Sequence, residues 1–252
     1  MNKIAKIGIG FGHTLSGYGS RNSTAKGYDM TESRANRIVG YKLVELCRHG
    51  FDVVVCNQDR PDKFKDENLL YRVNTANKNN VDIYVEQHLN GYNTKASGTS
   101  TLRYPGFHPN GIKSKKLATF IQLELVKALG LRDRGLSDRS DLYALRNTLM
   151  PAIIMEPLFM DNPDDMKRFD PDLIALAEAT GIYKYYGKDI NDYLPKQEIM
   201  PGIEKPTNKD GEPVTYRVVA GSFLDRDNAE KQVKRLADLG IKSFLTTYVI
   251  GE

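Results

Sequence analysis

Residues 28–56 read YDMTESRANRIVGYKLVELCRHGFDVVVC, and two hydrophobic periods meet inside them. From Tyr28 to Gly50, Ile38, Val39, Leu43, Leu46 and Cys47 recur at helical spacing. Thr31 stands where an N-cap is wanted and Gly50 where a helix ends. From Phe51 to Cys56 the helical period gives way to FDVVVC, whose valines and cysteine form a short apolar run that reads as a second strand. A helix handing over to a buried strand is the unit from which parallel sheets are wound.

The same unit extends in both directions. Upstream, Ile4–Ile9 is a short apolar strand that runs into Gly-Phe-Gly. Downstream, Leu69–Lys78 is a helix pattern, Val81–Val85 a strand that ends near His88, and Thr99–Tyr104 a further strand. Ser114–Leu129 carries an apolar stripe of Leu117, Phe120, Ile121, Leu125, Ala128 and Leu129. Ala152–Met155, set off by Pro151 and Pro157, is a short buried strand, and Leu173–Tyr185 closes the unit as a helix. This alternation predicts an α/β domain with a largely parallel sheet, whose ligands gather at the carboxyl ends of the strands.

Residues 189–213 read as a linker, a polar stretch punctuated by Pro195, Pro201, Pro206 and Pro213. The first domain is thereby expected over 1–188 and a small β-α-β piece over 214–252. In that piece Thr215–Ala220 and Lys242–Ile250 are the strands, and Asp227–Leu239 is the helix. About forty residues bury too little to stand alone, so the piece is expected to need a partner.

The chain has 252 residues, 40% apolar and 27% charged, an ordinary globular composition with ample material for a core. No run approaches the roughly 20 apolar residues of a membrane span. Neither a signal-peptide core nor a cleavage site follows the first residues, so synthesis in the cytoplasm is expected. The two cysteines, Cys47 and Cys56, lie in apolar patterns and read as small buried hydrophobes, not as a disulfide or metal pair. The net charge of +4 is interleaved along the chain. It gives no argument for nucleic acid and is equally compatible with an anionic polymer such as cell wall.

Four histidines begin the search for chemistry. His13 follows the first strand and His88 the third, which puts both on one edge of the sheet. His49 sits at a helix C-terminus, where the dipole favours it, and His108 lies in the loop YPGFHPNG, an exposed turn residue or at most a substrate contact. A lone histidine after a strand serves equally as a hydrogen-bonded structural residue; its acidic company is what shifts the balance. Glu32 opens the first helix on the side where strand one ends, although the positive end of a helix also favours a carboxylate. Glu156 follows the apolar strand in IIMEP, where a solvated surface charge is not expected. Two imidazoles and a carboxylate are a common ligand set for catalytic zinc, and a further glutamate beside them supplies a general base.

Four separated motifs in this order, GFGHTLSGYGSRNS, DMTESRANRIV, LYRVNTANKNNVDIYVEQHLN and MPAIIMEPLFMDN, resemble the zinc-dependent N-acetylmuramoyl-L-alanine amidases of autolysins and phage endolysins. The resemblance runs from about Lys3 to Tyr186. It implies a three-layer α/β/α twisted sheet, and cleavage of the amide joining N-acetylmuramic acid to the L-alanine of the stem peptide. It further implies that His13, Glu32 and His88 hold Zn2+ and that Glu156 is the catalytic acid/base. Arg72 matches a position often basic in the family, which implies a substrate-binding role; otherwise it is a solvated helix residue pairing with Asp66 or Glu67. Asn90 orients a ligand loop or the substrate, or caps a turn. The chain departs from the commoner pattern in two places: Gly10-Phe11 stands where Asp-Pro usually precedes Gly-His, and Glu86-Gln87 stands where Ser-Ile usually precedes His.

The tail, with TYRVVAGSF and NAEKQVKRLADLGI, resembles the first half of a SPOR domain, a peptidoglycan-binding module of two β-α-β halves. A second half is missing from the chain, which predicts a homodimer whose tails pair. The expected partner is peptidoglycan, reached after release through holin-made holes or by mother-cell lysis. Two other functions fit the same residues, a non-catalytic wall-binding protein and a zinc peptidase acting on the stem peptide.

Overall fold

The computed structural model describes residues 3–15, 23, 30–57, 67–106 and 110–194. The backbone divides into two units, Met1–Lys196 and Gln197–Glu252, and the described residues fall in the first. The tail expected over 214–252, most of the expected linker, and His108 lie outside the described residues.

Six strands, β1 (Lys6–Phe11), β2 (Asp52–Val55), β3 (Ile83–Gln87), β4 (Thr99–Arg103), β5 (Asp133–Asp138) and β6 (Ala152–Glu156), form one sheet in the order β2-β1-β3-β6-β4-β5. The pairs β1–β2, β1–β3, β3–β6 and β4–β5 are parallel. Strand β4 is antiparallel to β6, with Thr101 opposite Met155. The reason is the connection: no helix lies between β3 and β4, and a parallel neighbour requires a crossover of a dozen or more residues.

The described residues hold six α-helices: α1 (Glu32–Arg48), α2 (Glu67–Lys78), α3 (Gly111–Leu129), α4 (Tyr143–Asn147), α5 (Pro163–Met166) and α6 (Pro171–Tyr185). Thr31 caps α1, its side chain accepting from the Arg34 amide, and Gly130 ends α3 in the left-handed conformation at φ 62°. Side chains alternate across each strand, and the two faces bury different helices. Ile7, Ile9, Phe11, Ile83 and Val85 pack with Leu43 of α1, Leu117 and Ile121 of α3 and Ile182 of α6. Tyr84, Ala152 and Ile154 face the other way, with Val73 of α2 and Ala144 and Leu145 of α4. Each such aliphatic or aromatic side chain, fully buried, contributes on the order of 1.5–3 kcal/mol. The result is the expected three-layer α/β/α domain.

Several expectations shift. Strand β5 and the short helices α4 and α5 had no periodic signal, β5 because DRGLSD is a polar edge strand and edges are kept polar. The first unit also extends past the expected boundary at 188. Ile190, in a 3-10 turn, is buried, and Tyr193 and Leu194 pack against the main core. Cys47 and Cys56 are free and buried, as their apolar settings implied.

Candidate active site

Strands β1, β3 and β6 are parallel neighbours, so their carboxyl ends lie on one edge of the sheet. His13 follows β1, His88 follows β3, Glu156 ends β6 and Glu32 opens α1. The fold therefore brings the four together, and all four line one cavity of about 320 Å³.

Glu32 bridges the two histidines, one oxygen to each: Oε2 lies 2.9 Å from His13 Nε2 and Oε1 2.9 Å from His88 Nδ1. The imidazole rings stand edge to face with centroids 5.0 Å apart. One possible ligand atom from each of His13, Glu32 and His88 falls within 4.8 Å of the others, so two imidazoles and a carboxylate converge. That donor set suits a borderline-soft divalent metal.

The backbone at His13 has φ 63°, a region that costs a residue with a Cβ about 1–3 kcal/mol unless its surroundings hold it there. They do. Asn36 donates to the Gly12 carbonyl, Ser33 to that of Thr14, and Arg37 and Arg72 to that of His13. Gly12 must remain a glycine because a Cβ there would penetrate the His88 ring. Thus the GFGH turn is shaped to set His13 and to leave room for His88.

Electrostatics separate the carboxyl groups. Burial alone would raise Glu32, yet hydrogen bonds from His13 and His88 hold its carboxyl well below the usual range. Burial opposes a charged His88, but Glu32 and Glu86 push its pKa up to about 10. Burial pushes Glu156 up to about 8, a shift the Glu32 and Glu86 carboxylates favour and His88 and Arg139 resist. Glu156 Oε2 is buried with no hydrogen-bond partner among the described residues. A carboxyl that holds a proton near neutrality, with a spare oxygen on the cavity that His13, Glu32 and His88 also line, is equipped to take up and return protons.

Arg72 is not the solvated helix residue one reading allowed: it is 1% exposed and pairs with Glu86 at 3.2 Å. Asn90 accepts from the Gly91 amide through its side chain, a local turn, and also lines the cavity. His49 is exposed at the far end of α1. Two residues of the site were missed. Glu86, buried beneath His88, had a signal in the sequence, a carboxylate inside the apolar strand VDIYVEQ. Arg139, on the rim and paired bidentately with Asp141 at 2.8 and 2.7 Å, follows a polar strand and had none.

A family model described as N-acetylmuramoyl-L-alanine amidase matches residues 7–184. An uncharacterized cell wall amidase of Bacillus anthracis is 39% identical over 135 residues, which are 50% of this chain. The match spans only 25% of that protein's length. The endolysin of Bacillus phage SPP1 is 29% identical over 198 residues, 75% of this chain and 71% of the endolysin. Among solved structures, the CwlD amidase from Clostridioides difficile, in complex with the GerS lipoprotein, superposes with a TM-score of 0.61 at 26% identity. The superposition covers 72% of this chain and 98% of that one.

Proposed function

The chain belongs to the N-acetylmuramoyl-L-alanine amidase family, and from that premise we propose zinc-dependent hydrolysis of peptidoglycan at the amide between N-acetylmuramic acid and L-alanine. The observation that carries this reading is the converging His13–Glu32–His88 set with Glu156 on the same cavity. Those three residues would hold zinc, which when bound would supply Lewis acidity toward water and the scissile carbonyl. Glu156 accepts the proton of the attacking water at its unpartnered Oε2. It then delivers that proton to the alanine nitrogen as the carbon–nitrogen bond breaks, so one group serves as base and then as acid. Asn90 and Arg139 line the same cavity and are the polar groups offered to the muropeptide there.

Mass spectrometry of products from defined muropeptides, with and without a chelator, tests this. The expected products are a free lactyl carboxylate on the muramic acid and a peptide with a new L-alanine amino terminus, both lost in the chelator. Products that leave alanine on the sugar would show a stem-peptide peptidase instead. Binding of cell wall with no product in either condition would show a non-catalytic wall protein.

The tail over 214–252 lies beyond the family match, which ends at residue 184. We read it as half of a SPOR-like module that adds affinity for the wall, two copies pairing across a homodimer. The YRVVAGSF and NAEKQVKRLADLGI motifs support the reading. Light scattering is expected to show a dimer that becomes a monomer when residues 214–252 are deleted. A monomer before and after deletion would sink it.

No described helix is long and apolar enough to cross a membrane. Relatives that carry amidase and endolysin names place their action on the wall, and release by holin or mother-cell lysis remains the proposed route for this chain.

A further inference from the structure

Behind His88 lies a second, wholly buried polar cluster. Tyr84, Glu86 and His88 are spaced two apart, so they face the same side of β3. That side looks toward α2, which contributes Arg72. Glu86 is 1% exposed and Tyr84 fully buried. The Tyr84 hydroxyl donates to Glu86 Oε2, Arg72 donates to Oε1 at 3.2 Å, and His88 Nε2 lies 2.9 Å from that same Oε1.

We propose that Glu86 is a positioning residue of the metal centre: its carboxylate takes the Nε2 hydrogen of His88, fixing Nδ1 as the metal-binding nitrogen, while Arg72 and Tyr84 hold Glu86 from behind. The inference rests on the zinc reading above. Its geometric support is that the two ring nitrogens of His88 point at different carboxylates. Nδ1 meets Glu32, which belongs to the ligand set, and Nε2 meets Glu86, which does not. A histidine ligand is oriented and made more basic by a carboxylate on its far nitrogen. A buried Arg–Glu pair has no such need to be there for stability alone, because apolar residues of similar volume serve as well or better.

The two departures from the commoner family pattern become one feature. A Cβ at position 10 would run into the Tyr84 hydroxyl and crowd Arg72 Cδ at 3.2 Å. Gly10 is therefore the space that Tyr84 and Arg72 require in order to reach Glu86. The same cluster gives Arg72 its place: it supports a ligand through Glu86 and through the His13 carbonyl.

The test measures zinc affinity of the full chain at one pH, by competition with a chromophoric chelator, with thermal unfolding followed alongside. Glu86→Gln keeps shape and an uncharged acceptor; Glu86→Met with Arg72→Met removes the acceptor and leaves no lone buried charge. The expected losses in zinc affinity are about tenfold for Glu86→Gln and about 100-fold for the paired variant. The His88 Nε2 proton, expected far downfield in the zinc-bound wild type, should move upfield in Glu86→Gln. Affinities within about twofold of wild type in both folded variants would overturn the proposal, whatever happens to their melting temperatures. His88→Ala is the control: if it binds zinc as wild type does, the zinc reading fails, and this inference with it.

Discussion

Replacing Glu156 with Gln is expected to lower turnover on purified cell wall by roughly 10²–10⁴-fold while zinc stays bound and the fold becomes more stable. The loss follows because an amide cannot take the water's proton. Zinc stays because Glu156 is outside the His13–Glu32–His88 set. The stability gain has a definite sign. In the unfolded chain the carboxyl ionises above its ordinary 4.5, whereas in the fold burial holds the proton to about 8. Between those values the unfolded state is favoured progressively as pH rises. Gln removes that contribution, worth about 1–3 kcal/mol at neutral pH when measured in chelator. The Glu156 Oε2 had no hydrogen bond to lose. Three measurements decide it: wall lysis, zinc content, and the denaturation midpoint. Near-wild-type lysis would remove Glu156 from the reaction.

How much of this site could be read from the sequence depends on what kind of signal each residue carries. His13, His88 and Glu156 are legible because apolar strands end beside them, and parallel topology sends those ends to one edge. Glu32 carries no such mark, since an acid at a helix start has a local electrostatic reason to be there; its selection depends on the motif. Glu86 carries the same mark as Glu156, a carboxylate in an apolar strand. Arg72 shows the converse. Its helix pattern is polar enough to read as solvated, and only tertiary packing against β1 and β3 shows that it is 1% exposed. Arg139, Leu142 and Tyr143 come from the loop after β5 and the start of α4, where the lining of a cavity, not a hydrophobic period, determines the residue type. The antiparallel β4 was hidden for a related reason, because strand patterns carry no direction.

A second buried acid tests whether a raised pKa by itself marks function. Glu178, on α6, is fully buried and neither oxygen has a hydrogen-bond partner among the described residues. Burial pushes its carboxyl well above the ordinary value, with no other cause resolved. The charge it faces from α1 is at most the Cys47 thiol, itself pushed up by burial and by Glu178. It lines no described cavity, whereas Glu156 opens onto the one lined by His13, Glu32 and His88; perturbation marks a site only when geometry joins it. For a carboxyl raised in the fold, stability is greatest below the unfolded value of 4.5 and declines as pH rises toward the folded value. The slope is at most about 1.4 kcal/mol per pH unit. Glu178→Gln should abolish this slope and leave an unsatisfied amide in its place. Glu178→Leu should also remove the buried polar atoms, adding about 1–3 kcal/mol. Urea denaturation at pH 5 and pH 8 checks both. The gain of each variant over wild type should be larger at pH 8, and Leu should exceed Gln at either pH. Gains that are equal at the two pH values would mean that Glu178 is already ionised in the fold.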